Sequence, residues 1–239
     1  MRIEILADEA AVAVRAADLV CDALRAKPDA LLALPTGNTP VRAYAELARR
    51  VAASEADFAR ASIYAIDEFA DATRTTPGTN SVFYREHVRL GQRVLHCPNP
   101  SAQDPDEHIR AFADAIRRAG GIDLCVLGIG TNGHIAFNEP GSARDSRARV
   151  VALTHASREA HTATFGSLAA VPSRGMTLGV ADLLEARSIV VLATGARKAS
   201  IVRRAIEGAQ TAKVPASWLQ SHADVVWVLD AAAAAELRR

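Results

Sequence analysis

The sequence predicts an α/β fold: a single doubly wound, mostly parallel sheet of the Rossmann-like kind, with helices on both faces and a small lid. Short apolar runs recur along the chain, and longer helical stretches rich in Ala, Arg and Glu separate them. Each run is almost continuously apolar rather than alternating, which is typical of strands buried on both faces of a parallel sheet. With 239 residues, of which 49% are hydrophobic, the chain can bury the core that such a sheet requires.

Five apolar runs are predicted to be central strands, at residues 30–34, 62–66, 122–128, 188–194 and 224–229. The stretches 8–26, 39–50, 105–119, 197–207 and 231–239 are predicted to be helices. Thr39 and Pro40 suit the N-cap and the first position of the second helix. No repeat, low-complexity linker or charge block divides the chain, so we expect one domain over residues 1–239. The least regular segments are 70–80, 138–149 and 166–174, and a lid is expected at about residues 141–175.

Charge and cysteine content narrow the expected partners and compartment. The 28 Lys and Arg residues balance 27 Asp and Glu residues, so neither nucleic acid nor an anionic membrane is an expected partner, and an anionic ligand must be bound locally. The three cysteines, Cys21, Cys97 and Cys125, show no CxxC spacing and are typical of a reducing compartment. Without a signal-peptide core or a membrane-spanning apolar run, we expect a cytoplasmic protein.

Polar residues directly after a predicted strand are the first candidates for a site, because ligands of doubly wound sheets bind beyond the carboxyl ends of the strands. After strand 30–34 comes PTGNTP at 35–40, a glycine-containing turn that leads into a helix. Its backbone amides and the positive helix end suit a phosphate. The same residues are equally typical of an ordinary strand-to-helix turn, and the absence of a GxxxxGK[ST] lysine disfavours a nucleotide-binding loop.

The acidic pair Asp67-Glu68 follows strand 62–66. A carboxylate held there, partly removed from water, can act as a general base. Acidic residues at strand ends are also common helix caps, so a lone aspartate does not decide between the two interpretations.

The loop after strand 122–128 carries the densest set of hydrogen-bonding and proton-transfer groups. After Gly-Ile-Gly come Asn132, His134 and Glu139 on a single loop. A histidine titrates near neutral pH, and a nearby carboxylate can hold its tautomer and raise its basicity. A lone loop histidine is usually incidental, but the glycines, the asparagine and the glutamate together favour a catalytic loop. No second His or Cys lies at ligand spacing, so no metal site is expected.

Six motifs in this order resemble the glucosamine-6-phosphate deaminase branch of the deaminase and 6-phosphogluconolactonase family over nearly the whole chain: LPTGNTP, AIDEF, LGIGTNGHIAFNEPG, MTLGV, ATGARKA and VPASWLQSHADV. The resemblance implies an enzyme that needs no cofactor. It would be an isomerase that also deaminates its substrate, and in the deamination it would act as a hydrolase. Its small-molecule partner would be a sugar phosphate, a 2-amino-2-deoxyhexose 6-phosphate such as glucosamine 6-phosphate, and its products a ketose phosphate and ammonia.

The resemblance also implies roles for individual residues. Asp67 matches the base that moves a proton between C2 and C1, and His134 matches the residue that opens the pyranose ring. Glu139 and Asn132 match the positions that support this histidine. The residues that match phosphate-binding positions are Thr36, Gly37, Asn38, Thr39 and Lys198.

The chain departs from the family in the lid. The family's lid carries an arginine that grips the substrate phosphate, and alignment through Thr154, Arg158 and Phe165 puts Ala163 at that position. Such a charge-assisted contact contributes about 1.5 to 3 kcal/mol. Either Arg158, Arg174 or another cation replaces it, or phosphate binding is weaker, or the substrate differs. The long carboxyl-terminal extension of allosteric hexameric members is also absent, so we expect a monomer or small homo-oligomer.

Two alternative functions remain open. A 6-phosphogluconolactonase-like hydrolase of similar fold would continue its Gly-His pair as x-Ala-Ser-Leu-Phe-Pro, whereas this chain has Ile-Ala-Phe-Asn-Glu-Pro with Glu139 in place. A non-catalytic sugar-phosphate sensor would need a helix-turn-helix segment, for which neither end of the sequence leaves room. Such a sensor would also have no use for Asp67, His134 and Glu139 together.

Overall fold

The computed structural model describes residues 1–238 as a parallel sheet of seven strands, with helices on both faces, and a second, antiparallel sheet of three strands. The strands are β1 Arg2–Leu6, β2 Leu31–Leu34, β3 Ser62–Ala65, β4 Asp67–Phe69, β5 Val94–His96, β6 Leu124–Gly128, β7 Arg149–Ala152, β8 Arg174–Thr177, β9 Ser188–Ala193 and β10 Val225–Asp230. The helices are α1 Glu9–Ala26, α2 Asn38–Ala52, α3 Asn80–His87, α4 Pro105–Arg118, α5 His155–Ala160, α6 Thr162–Phe165, α7 Val180–Leu184 and α8 Ala199–Glu207. Short 3-10 helices cover Ala196–Lys198 and Pro215–Ser221.

The strand order of the large sheet is β1-β10-β9-β6-β2-β3-β5, and every neighbouring pair is parallel. The chain proceeds outward from β2 through β3 to β5 and then returns to the other side of β2 to form β6. This reversal opens a crevice beyond the carboxyl ends of β2 and β6, the place where doubly wound sheets bind ligands. The predicted fold class is confirmed, and the five predicted strands are present with ends that differ by at most two residues.

Two apolar cores lie on opposite faces of the large sheet, because successive side chains of a strand point to opposite faces. In β2, Leu32 and Leu34 belong to the core that includes α1 and α2, whereas Leu31 and Ala33 belong to the core that includes α4 and α8. All four side chains are at most 4% exposed, which explains why this run is continuously apolar.

The prediction omits five strands that are short or lie at a sheet edge. β1 and β5 are the two edge strands of the large sheet, and β4, β7 and β8 make up the small sheet in the order β4-β8-β7. In β1, Ile3 and Ile5 remain 39% and 56% exposed while Leu6 packs against a core. Such strands lack a continuous apolar run, so a search for buried strands does not find them.

The ends of the four confirmed helices differ from the prediction by at most two residues, and two of their starts show why. The helix α2 begins at Asn38 with Gly37 as its N-cap, rather than with Thr39, because Gly37 adopts a left-handed φ of 107° that turns the chain into the helix earlier. The predicted helix 197–207 starts as the 3-10 turn Ala196–Lys198 and becomes α-helical at Ala199. No helix within residues 1–238 is long and apolar enough to cross a membrane.

The helix predicted at 231–239 is wrong. Residues 231–236 form turns, because the carboxylate of Asp230 accepts the amide of Ala233 and holds the chain in a tight turn. The last position of that prediction, residue 239, lies outside the described residues.

Candidate active site

Four segments with polar side chains emerge at the carboxyl edge of the large sheet. The turn 35–37 follows β2, β4 follows β3 after one residue, the loop 129–138 follows β6, and Ala196–Lys198 follows β9. The strands β9, β6, β2 and β3 are consecutive neighbours. All of the sequence-predicted site residues therefore arrive at one edge, around the crevice between β2 and β6.

The turn after β2 is held from behind by two buried phenols. The hydroxyl of Tyr44 donates to the carbonyl of Pro35 at 2.5 Å, and the hydroxyl of Tyr84 donates to the carbonyl of Leu34. No side chain within residues 1–238 caps the start of α2 after Gly37. The first amides of this helix are therefore available for an anion, as expected of a phosphate-binding turn.

Lys198 lies half-buried beside the same crevice. Its ammonium group donates to the carbonyl of Ile129 at 2.6 Å, which ties it to the loop after β6. Burial lowers the pKa of Lys198, and the nearby charge of Arg197 lowers it further. An ammonium has three donors, so a partly desolvated lysine with one carbonyl partner can bind an anion with the others.

The loop after β6 places a histidine next to a carboxylate. A side-chain carbon on Gly130 would lie 2.3 to 2.5 Å from atoms of the His134 ring, so the ring fits only over a glycine. The amide of Asn132 donates to Oε2 of Glu139 at 2.9 Å, and its oxygen accepts the backbone N–H of His134 at 3.1 Å. The Nδ1 atom of His134 lies 3.7 Å from the same Oε2 and is buried with no hydrogen-bond partner among residues 1–238. A small contraction would complete a histidine–carboxylate pair.

The Glu139 carboxylate is held in its ionised form. Burial alone would raise the pKa of Glu139, but His134, Ser157 and Asn132 together lower it to about 2. Its other oxygen accepts a hydrogen bond from Oγ1 of Thr154 at 3.2 Å, and Thr154 is the N-cap of α5. A carboxylate that is anionic at neutral pH can stabilise a protonated His134.

Asp67 is the first residue of β4 and is 6% exposed. Burial raises the pKa of Asp67 to about 8, the neighbouring Glu68 adds to the rise, and a hydrogen bond from Asn80 Nδ2 at 2.6 Å opposes it. A group with a pKa close to the working pH takes up and returns a proton readily, which suits a general base.

Glu68 is fully buried and serves a different purpose. Its oxygens accept the backbone amides of Phe69, Asn80 and Ser81 and the hydroxyl of Ser81, at 2.6 to 2.9 Å. Burial raises the pKa of Glu68 and these hydrogen bonds oppose the rise. Because protein donors occupy this carboxylate, it fastens the start of α3 rather than acting as a free base.

The raised pKa of Asp67 predicts a dependence of stability on pH. Between the ordinary pKa of 3.8 and about 8, the folded protein binds a proton that the unfolded chain releases, so stability falls as the pH rises. We expect this group to cost the wild type about 2 to 4 kcal/mol of its free energy of unfolding between pH 5 and pH 9. Asp67→Asn should remove that loss. Urea unfolding at both pH values measures the difference. The matched control Asp145→Asn removes an exposed carboxylate and should leave it unchanged.

Several contacts of the site escaped the sequence analysis. Asn80 contacts Asp67, Thr154 contacts Glu139, and Oγ1 of Thr177 accepts the Phe137 amide at 3.3 Å while Thr177 pairs with Asp67 across the small sheet. The hydrogen-bonded partners are 13 to 40 residues apart along the chain, and the strand partners Asp67 and Thr177 are farther apart still. The helix-start signal at 77–80 could have indicated α3, but nothing local indicates what its first residue contacts.

Neither arginine considered as a replacement at Ala163 is free in this arrangement. The guanidinium of Arg158 donates to two carbonyls of the turn 166–173, at 2.9 and 3.0 Å. The guanidinium of Arg174 forms a two-pronged ion pair with Asp71, at 2.8 and 2.9 Å. Ala163 itself lies exposed on α6. Both arginines hold neighbouring loops, and Lys198 lies at a position predicted to bind the phosphate.

Fold and site together define a protein that can bind a small anionic molecule at a helix start and move protons on it with its own side chains. Within residues 1–238, no group of three or more His, Cys, Asp or Glu side chains is placed to hold a metal ion. The family model described as glucosamine-6-phosphate isomerases/6-phosphogluconolactonase matches residues 6–227. The chain therefore belongs to the glucosamine-6-phosphate isomerase and 6-phosphogluconolactonase family.

Individual relatives agree with this assignment. The glucosamine-6-phosphate deaminase of Rhodopirellula baltica is 39% identical, over 99% of this chain and 96% of the relative. That of Halothermothrix orenii is 36% identical, over 99% of this chain and 100% of the relative. A solved monomeric glucosamine-6-phosphate deaminase superposes with a TM-score of 0.95 at 31% identity, covering 99% and 100% of the two chains. A 6-phosphogluconolactonase from Shewanella baltica, with a TM-score of 0.75, 18% identity and coverages of 96% and 97%, shares the fold.

Proposed function

We propose that the protein converts glucosamine 6-phosphate, or a closely related 2-amino-2-deoxyhexose 6-phosphate, to fructose 6-phosphate and ammonia. The observation that carries this proposal is the presence of two separate proton-transfer groups at one sheet edge. One is the buried Asp67, with its pKa raised to about 8, and the other is His134 beside the ionised Glu139. Relatives named as glucosamine-6-phosphate deaminases match almost the full chain and support it.

The substrate phosphate binds at the turn Thr36 to Thr39 and at Lys198. This contact is remote from the reacting carbons, so its binding energy can orient C1 and C2 without taking part in the chemistry. The free amides at the start of α2 and the partly buried ammonium supply the donors.

Ring opening uses the pair formed by His134 and Glu139. His134 accepts the proton of the C1 hydroxyl and delivers a proton to the ring oxygen O5, so that the C1–O5 bond breaks and C1 becomes an aldehyde. Glu139 stabilises the transient positive charge on the imidazole ring, and Asn132 keeps the carboxylate and the histidine backbone in place.

Isomerisation and deamination use Asp67. The C1 carbonyl acidifies C2, and Asp67 takes the C2 proton while O1 gains the proton that the substrate's ammonium group gives up, which forms an enolamine. Asp67 then returns its proton to C1. The resulting C2 iminium adds water and releases ammonia, leaving the C2 ketone. The net reaction consumes one water, which makes the enzyme both an isomerase and a hydrolase. A base with a pKa near 8 exchanges this proton in both directions.

A lactonase activity is the alternative for this fold. Hydrolysis of a sugar lactone requires one group to activate water, whereas opening a ring and then moving a carbon-bound proton requires two. The presence of a second proton-transfer group, Asp67, in addition to His134 therefore favours the deaminase. The solved 6-phosphogluconolactonase cited above resembles this chain at only 18% identity, which supports the shared fold alone.

The proposal is tested by assaying ammonia release from glucosamine 6-phosphate, its epimers and N-acetylglucosamine 6-phosphate, together with hydrolysis of 6-phosphogluconolactone. We expect glucosamine 6-phosphate to be converted to fructose 6-phosphate with one ammonia per turnover. Lactone hydrolysis without ammonia release from any amino sugar would refute the deaminase in favour of the lactonase.

The missing lid arginine predicts a gain of function. We expect Ala163→Arg to lower KM for glucosamine 6-phosphate by about ten- to a hundredfold with little change in kcat, the effect of one charge-assisted contact. Steady-state kinetics measure both constants. Ala160→Arg adds the same charge at another exposed position of this segment and should leave KM within about threefold. An unchanged KM in the first variant would mean that another group already occupies the arginine position.

Residues 141–175 act in this proposal as a lid that excludes water. The ring of Phe165 on α6 packs edge-on against Phe69, with ring centroids 4.9 Å apart, directly beside the Asp67 segment. Thr154 fastens the base of α5 to Glu139.

We further propose a single domain over residues 1–239, a monomer or small homo-oligomer, and a cytoplasmic location. Light scattering of the purified protein tests the assembly state.

A further inference from the structure

We infer that Asn80 is a positioning residue that couples the phosphate-binding turn to the general base. The inference rests on the proposed function and adds a residue that the sequence motifs do not include. Through Asn80, binding of the phosphate several bonds away from C2 would hold Asp67 in the orientation that proton transfer requires.

The side-chain amide of Asn80 joins the two functional segments directly. Its nitrogen donates to Oδ1 of Asp67 at 2.6 Å and to the backbone carbonyl of Asp67 at 3.0 Å. Its oxygen accepts the hydroxyl of Thr36 at 3.1 Å. Asn80 is 3% exposed, and both amide hydrogens have partners. One rigid planar group thus connects Thr36 with the base.

The helix α3 restrains Asn80 from both sides. The backbone amide of Asn80 donates to the buried Glu68 at 2.9 Å, which fixes the first turn of the helix. One turn later, Tyr84 donates to the carbonyl of Leu34 at the end of β2, immediately before the phosphate-binding turn. The helix is therefore fastened both to β4 and to the end of β2, and Asn80 cannot shift without moving one of these strands.

The hydrogen bond from Asn80 favours the ionised form of Asp67. Burial and Glu68 raise the pKa of Asp67, and Asn80 is the group that lowers it. Tyr84 on α3 and Cys97 after β5 are two further titratable groups near the pair. Burial raises the pKa of the tyrosine well above its usual value and that of the cysteine to about 12. Both stay neutral at working pH and place no charge beside Asp67. A movement of the acid limb of the rate profile when Asn80 alone is removed therefore reports the coupled pair Asp67 and Glu68.

The first experiment compares pH profiles of kcat/KM for Asn80→Ala, Thr36→Val and the control Val82→Ala. We expect Asn80→Ala to lower kcat/KM by about ten- to a hundredfold. The acid limb, where kcat/KM rises with pH, should move to a pH about one unit higher, because the carboxylate loses a charge-assisted donor. Val82→Ala loosens the same helix without touching Asp67 and should leave the limb in place. Equal activity losses in Asn80→Ala and Val82→Ala, with no movement of the limb, would show that Asn80 is merely structural.

The second experiment needs no turnover. The carboxyl ¹³C signal of Asp67, assigned by its absence in Asp67→Asn, is followed while inorganic phosphate is added to saturation, with ³¹P spectra to verify binding. We expect phosphate to shift this signal in the wild type. Most of the shift should be lost in Asn80→Ala. It should also be lost in Thr36→Val, which removes the hydrogen bond from Thr36 to Asn80 without altering Asn80 itself. The same shift in all three proteins, or none in the wild type, would overturn the coupling. A wild type that releases no ammonia would instead refute the proposed function.

Discussion

Asp67→Asn is expected to abolish turnover, lowering kcat by about 10³- to 10⁴-fold, while KM for glucosamine 6-phosphate stays within a few-fold. The amide preserves the shape of the buried carboxyl group but cannot accept the C2 proton. The proposed phosphate contacts at the turn and at Lys198 do not involve this group, so affinity should be preserved. Because the base acts when ionised and its pKa is raised to about 8, wild-type kcat/KM should rise with pH through an acid limb near pH 8.

Exchange of the C2 proton in D₂O is the direct readout of this prediction, followed by proton NMR of the substrate. The wild type should incorporate deuterium at C2 and the Asn variant should not. Asp71→Asn provides the matched control, since it removes an exposed carboxylate four residues away whose partner is Arg174, and it should retain activity within a few-fold. If Asp67→Asn exchanges the C2 proton at the wild-type rate, Asp67 is not the base.

His134→Gln is expected to reduce turnover of the cyclic substrate by about 10²- to 10³-fold and to leave an open-chain substrate within a few-fold. In the proposed mechanism, His134 transfers protons during ring opening and takes no part in the later steps. A 4,5-dideoxy analogue of glucosamine 6-phosphate lacks both O4 and O5 and can close neither a furanose nor a pyranose ring, so it bypasses the step. Comparing kcat/KM for the two substrates isolates ring opening.

Glu139→Gln should show the same preference for the open-chain analogue, because it removes the charge that stabilises a protonated His134 while keeping a group that can bind Asn132. The exposed His155 on α5 provides the control, and His155→Gln should leave both substrates unaffected. Equal losses on the cyclic and the open-chain substrate would assign His134 to a different step.

The central strands and the polar segments after them could be predicted because their signals are local. The run at residues 122–128 is apolar at nearly every position because both of its faces are buried, and the glycines after it end the strand at a recognisable place. The parallel sheet then brings the carboxyl ends together, so that Thr36, Asp67 and His134 converge although they are far apart in sequence. The edge strand β1 shows a weaker alternating pattern that a search for buried runs does not detect.

What the sequence by itself determined is therefore the fold class, the segments that form the candidate site and the chemical types of their side chains. Only the tertiary structure decided that Asn80 joins Thr36 to Asp67, that Thr154 joins α5 to Glu139, and that Arg158 and Arg174 are engaged elsewhere. It also decided that one carboxyl group has its pKa raised to about 8 and another lowered to about 2. The physical reason is that burial and hydrogen-bond donors set these properties, and both come from segments that are distant along the chain.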